Sequence, residues 1–146
     1  MGLGGEVIAD EPNAEVGTYT LSLKSGGARD ALFGSLPARF QAQLGHKDRA
    51  TGVPEGLVDI AGSERAPFQA VRVAGRPQFA TQFHPELTAA DNRHRFLRYM
   101  AEYGKLFGKA AAQERLDSHL PSPEVNALME HFVVDWVLPV AAGGRA

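Results

Sequence analysis

An α/β domain with a mixed sheet and C-terminal helices is what this sequence predicts, on three observations. Short stretches of alternating hydrophobicity, bounded by Gly and Pro turns, fill the first two thirds. Two stretches of helical periodicity, each opened by a capping signal, fill the last third. The chain has 146 residues, 44% hydrophobic and 22% charged, the size and make-up of one soluble domain with its own core.

The elements follow in order. Glu6–Asp10 reads as a first strand, stopped by the turn cluster Asp10-Glu11-Pro12-Asn13. Gly17–Leu23 alternates Tyr19, Leu21 and Leu23 against Thr18, Thr20 and Ser22, as a half-buried strand does, and Ser25-Gly26-Gly27 breaks it. Asp30–Leu36 reads as one helical turn with Asp30 at its N-cap. Arg39–Leu44 puts Phe40, Ala42 and Leu44 on one face and runs into Gly45-His46-Lys47-Asp48. Leu57–Ala61, Phe68–Val73 and Pro77–Phe83 are further strands, the last two joined through Ala74-Gly75-Arg76 in a hairpin-sized loop.

Thr88-Ala89-Ala90-Asp91 approximates a capping box with Asp in the place of Glu. It opens a helix whose apolar positions are Phe96, Leu97, Met100, Tyr103 and Phe107, with Gly104 and Gly108 near its end. Residues 109–120 are expected to be helical in part. Ser122-Pro123 then starts a second helix, Ser as N-cap and Pro at the first helical position. Its stripe of Val125, Leu128, Met129, Phe132, Val133, Trp136 and Val137 is expected to pack on the sheet or the preceding helix.

Composition excludes several classes of function. A net charge of -2, with dispersed basic residues, argues against nucleic acid as a partner. No apolar run approaches the roughly 20 residues of a membrane-spanning helix, and Met1–Glu6 lacks the start of a signal peptide. A cytoplasmic protein without membrane contact is expected. His94, His119 and His131 lack metal-ligand spacing, so no metal is expected, and Asp91–Arg95 reads as a surface i, i+4 pair. Gly2-Leu3-Gly4-Gly5 has no Lys-Ser/Thr after it, which leaves a phosphate loop unsupported. The chain has no cysteine, which removes disulfides, thiolate metal sites and thiol catalysis by its own residues.

Gln82-Phe83-His84-Pro85-Glu86 carries the most chemistry. A strand delivers His84 to its end, and Pro85 stiffens the turn by fixing its own φ and restricting the residue before it. Glu86, two positions on, is close enough to orient His84 and to stabilise an imidazolium, as the base and its orienter do in a nucleophilic triad. By spacing alone, a His-x-Glu is ordinary surface decoration.

The stretch resembles the F-H-P-E motif of class I glutamine amidotransferases, and other segments resemble that family in the same order. Gly4-Gly5-Glu6-Val7 is similar to the segment after its nucleophile helix, and Glu15-Val16-Gly17-Thr18-Tyr19 to its next strand entry. Leu44-Gly45-His46-Lys47-Asp48 resembles its S-H-x-D segment, although Gly45 stands where the family usually has Ser or Asn. Pro54-Glu55-Gly56, Ala61-Gly62-Ser63-Glu64 and Phe68-Gln69-Ala70 match its "P-x-G … A-x-S … Q-A" run. The resemblance spans about residues 4–100 and is nearest to amidotransferase domains of the GMP synthase kind.

The resemblance implies a partial flavodoxin-like fold, with residues 1–108 the C-terminal portion of the amidotransferase domain and 109–146 a helical extension packed on it. It implies glutamine as substrate, no cofactor, and a Cys–His–Glu reaction that releases ammonia to a synthetase partner. His84 is then the general base and Glu86 its orienter, and Gly45, His46, Lys47 and Asp48 lie along the substrate, mostly through backbone groups. The family's nucleophile turn, G-x-C-x-G-[HQ]-Q, is not in this sequence. Three readings stay open: a fragment of an ordinary enzyme, one half of a split enzyme whose partner chain bears the nucleophile, or a non-catalytic binding or regulatory domain. The fragment is expected to be inactive alone. A hydrolase of other γ-glutamyl amides would look the same.

Overall fold

Turn chemistry and strand propensity divide the first half of the chain into seven strands. In the computed structural model, which describes residues 4–141, these are β1 (Val7–Ala9), β2 (Glu15–Leu23), β3 (Arg39–His46), β4 (Asp48–Ala50), β5 (Leu57–Gly62), β6 (Ala70–Val73) and β7 (Phe79–Thr81). A short helix, α1 (Ser25–Ala28), follows β2. The second half is α2 (Ala89–Arg98), α3 (Met100–Phe107), α4 (Lys109–Asp117) and α5 (Pro123–Phe132), then a wide-turned segment Val133–Val137 and α6 (Leu138–Ala141). The expected α/β class and C-terminal helices are both present.

Five strands form one sheet in the order β3-β2-β5-β6-β7, and β1 pairs with β4 in a separate ribbon. The parallel component expected of a mixed sheet needs correcting. Every strand pairing among the described residues is antiparallel. Parallel neighbours require crossovers of a dozen or more residues, usually through a helix, and after β7 the chain enters its helices without returning to the sheet. The β6–β7 hairpin is as expected. Gly75 takes φ +70° in its loop, where a side chain would be strained, and Val73 N–H donates to Gln78 O at 2.9 Å.

The core forms on one face of β2 and β3, where the alternation read from the sequence buries Leu21, Phe40, Ala42 and Leu44. Asp30 caps its turn as expected: its Oδ1 accepts from Leu32 N–H at 2.9 Å and Phe33 N–H at 3.2 Å, which sets Phe33 into the same core. Val125 and Leu128 of α5 close over that face. A second cluster joins Val16 to Phe96, Tyr103, Ala112 and Leu116, so α2, α3 and α4 share one apolar seam.

The helices differ from expectation in three places. The single helix expected after Thr88 breaks at Tyr99, whose φ of -107° and ψ of 14° end α2 and start α3. The break turns Phe96 and Tyr103 onto each other at 4.5 Å between ring centroids, while Leu97 is left exposed. Ser122 precedes Pro123 as predicted, but its hydroxyl makes no cap and accepts instead from Gln43 Nε2 at 3.1 Å. The stripe on α5 is only half covered. The backbone widens to π-helical spacing at Val133–Val137, which rotates the face, so Trp136 still meets Phe79 at 5.7 Å but Val133 and Val137 are exposed.

Candidate active site

Residues 82–88 leave β7 through a bend at 82–83 and a turn at 85–86 and lie beside β3. His84 N–H donates to Gln43 O at 2.8 Å, which ties the histidine backbone to β3, an edge strand of the sheet. Gln43 is itself fully buried and bonded on both ends of its amide: Nε2 donates to Leu120 O at 2.9 Å, and Oε1 accepts from Thr18 Oγ1 and Asn92 Nδ2, both at 3.1 Å. A buried amide with its partners in place holds one orientation, because any other orphans several groups at once. The other side of the turn is held from α5. Asn126 Nδ2 donates to Pro85 O at 2.8 Å and to Leu87 O at 2.9 Å.

On this anchored turn His84 Nδ1 and Glu86 Oε1 are 2.7 Å apart. The predicted pairing is therefore present. The other ring nitrogen, Nε2, faces Arg95 of α2, with Nη1 at 3.2 Å. A guanidinium can only donate, so Nε2 accepts and the ring proton is on Nδ1, pointing at Glu86. That is the tautomer a general base needs, with its free lone pair turned away from its orienting carboxylate.

Arg95 escaped the sequence reading, which placed it in a surface pair with Asp91. No such pair is among the ion pairs of the described residues. Asp91 is committed to the helix start: its Oδ2 accepts from Thr88 Oγ1 at 2.6 Å, and its N–H donates back to Thr88 Oγ1 at 3.1 Å. The Thr88 hydroxyl, before any other cause, holds the Asp91 carboxyl below the usual range. Asn126 and Gln43 also carried no local signal, since their partners lie 25 to 79 residues away in sequence.

The remaining predicted residues divide. Gly45 packs against Arg95: a Cβ there would lie 3.7 Å from each of three guanidinium atoms. His46 lies in a buried cluster, its Nε2 3.2 Å from Glu15 Oε2 and 3.0 Å from Gln69 Nε2. Glu15 Oε2 accepts further from Gln69 Nε2 at 2.7 Å and Ser63 Oγ at 2.9 Å. Lys47 O accepts from Asp10 N–H at 2.8 Å, and Asp48 O from Gln82 Nε2 at 3.0 Å, so both carbonyls are engaged within the fold.

The model of the family Glutamine amidotransferase class-I matches residues 2–101. This chain belongs to the class I glutamine amidotransferase family. Among curated relatives, the GMP synthase [glutamine-hydrolyzing] of Thermosipho africanus is 36% identical over 84 residues, covering 58% of this chain and 16% of that protein. The same enzyme from Shewanella baltica is 32% identical over 104 residues, covering 68% of this chain and 20% of that protein. The chain thus spans a fifth or less of these relatives' length. A solved glutamine amidotransferase from Thermotoga maritima superposes with a TM-score of 0.62 at 20% identity, over 87% of this chain and 52% of that one, and so shares the flavodoxin-like fold. Among the described residues, no helix is long and apolar enough to cross a membrane, and no group of three or more His, Asp or Glu could hold a metal ion.

Proposed function

We propose that this chain supplies the base and orienting carboxylate of a glutamine-hydrolysing site, and that the thiol comes from a further segment or a separate chain. The observation that carries the reading is the 2.7 Å contact between His84 Nδ1 and Glu86 Oε1 on a turn tied to both the sheet and α5. In the reaction, His84 Nε2 takes the thiol proton as sulfur bonds to the carboxamide carbon of glutamine. The imidazolium, steadied by Glu86, returns that proton to nitrogen as the C–N bond breaks and ammonia leaves. Water, deprotonated by the same imidazole, then opens the thioester to glutamate and the free thiol. Gly45, His46, Lys47 and Asp48 are assigned to the glutamine side of this site. Ammonia passes to a synthetase partner, as the GMP synthase relatives suggest. The reading takes the protein to be cytoplasmic.

An open apolar hollow of about 400 Å³ supports the need for a second component. It is lined by Val7, Val53, Pro54, Phe68 and Ala80 and reaches Gln82, two residues before His84. The Thermotoga maritima structure also has about half its length without a counterpart here. The test is ammonia release from L-glutamine by the isolated chain, then by the chain mixed with a segment that carries the family's G-x-C-x-G-[HQ]-Q turn. Background release alone, and turnover on mixing that His84→Ala abolishes, are expected. Turnover by the isolated chain that disappears in His84→Ala would contradict the reading. One contact favours the second reading, a binding or regulatory module without chemistry: Arg95 already occupies the nitrogen that would take the proton.

A further inference from the structure

We propose that Arg95 is a third member of this site, a positioning residue that selects the His84 tautomer and covers its proton-accepting nitrogen until a reacting group displaces it. The placement of Arg95 is determined by its helix. The capping box of Thr88 and Asp91 sets the start of α2. Asn92, one turn before Arg95, is buried and donates from Nδ2 to Gln43 Oε1 at 3.1 Å and to Gly17 O at 3.3 Å. Phe96, the next residue, is 1% exposed in the second core cluster. With both neighbours locked, α2 cannot rotate, and the Arg95 side chain leaves it toward the end of β3.

There the chain presents Gly45. A Cβ built on it would be equidistant, at 3.7 Å, from Cζ, Nη1 and Nη2 of Arg95, so the glycine lies against the flat face of the guanidinium. Alanine would fit in ordinary contact, but a longer side chain would enter the volume the guanidinium fills. Gly45 is therefore the floor that lets Arg95 reach His84. The same turn, held by Gln43 O and Asn126, presents Nε2 at 3.2 Å from Nη1.

The contact acts in two ways. It stabilises the Nδ1–H tautomer, because a guanidinium offers no lone pair to an Nε2–H. It also withholds the lone pair that would accept a proton, so the guanidinium has to swing off before His84 acts as a base. One charged hydrogen bond favours the covered state without making it permanent. This deepens the functional reading and rests on it for its meaning, but its test uses neither glutamine nor a thiol.

The experiment is carbethoxylation of the full chain by diethyl pyrocarbonate, which attacks unprotonated imidazole nitrogen, followed by peptide mass spectrometry at each histidine. In the wild type His84 reacts slowly for its exposure. Arg95→Met, which keeps the aliphatic bulk and removes the donors, raises the His84 rate about tenfold or more, in line with losing one charged hydrogen bond. Gly45→Asn, which displaces the guanidinium from the opposite side, raises it too. His46, whose side chain is 12% exposed and bonded in its own cluster, stays protected in Arg95→Met. Equal His84 rates in the wild type and folded Arg95→Met would overturn the proposal, as would a parallel rise at His46, which would mark general loosening.

Discussion

Among the described residues, two histidines pair with acidic side chains, and their surroundings differ completely. His46 and Glu15 have side chains 12% and 1% exposed, in a cluster where Ser63 and Gln69 both donate to Glu15. His84 and Glu86 are 28% and 51% exposed, on a turn leaving the sheet. A buried pair of this kind holds strands together, because every member lost orphans another. An open pair contributes little to stability and is free to meet a ligand. Residue type and proximity are alike in the two, so exposure and the direction of the remaining hydrogen bonds tell which pair is free to act as base and orienter.

Removing the acid from each pair should separate the two roles. Glu15→Ala is expected to destabilise the fold by about 3 kcal/mol or more, since it leaves Ser63, Gln69 and His46 facing an empty buried position. Glu86→Ala is expected to shift stability by about 0.5 kcal/mol at most. Urea unfolding of the two variants measures the difference, and similar losses would erase the distinction.

Asn126→Ala should fall between them. Two donated hydrogen bonds disappear, for about 1–2 kcal/mol together, and the freed turn carries the open pair with it. Amide hydrogen exchange across 84–88 should rise while exchange in β2 and β3 stays slow. Uniform acceleration would mean that the asparagine supports the whole fold and not the turn.

The smallest effect is on pH dependence and comes from a third histidine. Burial lowers the His119 pKa below its usual 6.5, with its Nδ1 bonded to Leu116 O at 3.0 Å and its ring edge-on to Phe96 at 5.7 Å. The unfolded chain therefore binds more protons than the native one as pH falls through 6.5 toward the lowered native value, and stability declines over that window. His119→Phe should flatten that decline in urea titrations compared across the window. An unchanged slope would place the linkage elsewhere.

Much of this was legible because it is local. The Thr88–Asp91 capping box, the Asp30 turn, the Gly75 hairpin and the His84–Glu86 contact each join residues within five positions, and each formed as read. What stayed hidden is long-range. Period-two alternation says which face of a strand is buried but not which way its neighbour runs, so the antiparallel order of the sheet could not be read from it. The break at Tyr99 lies inside an unbroken helical pattern, with tertiary packing of Phe96 on Tyr103 deciding it. Ser122 and Arg95 were read from their sequence neighbours and Asn126 was not singled out, whereas their bonds go to Gln43, His84 and the turn at 85–87.

The most direct measurement of the central claim is the imidazole proton of His84, observed by ¹⁵N-edited NMR of the intact chain above the ordinary histidine range, at about pH 8. A paired His84 and Glu86 predict a proton on Nδ1, shifted downfield and slow to exchange with water, that is lost in Glu86→Ala. A proton found on Nε2, or an Nδ1 proton indifferent to Glu86, would contradict the account.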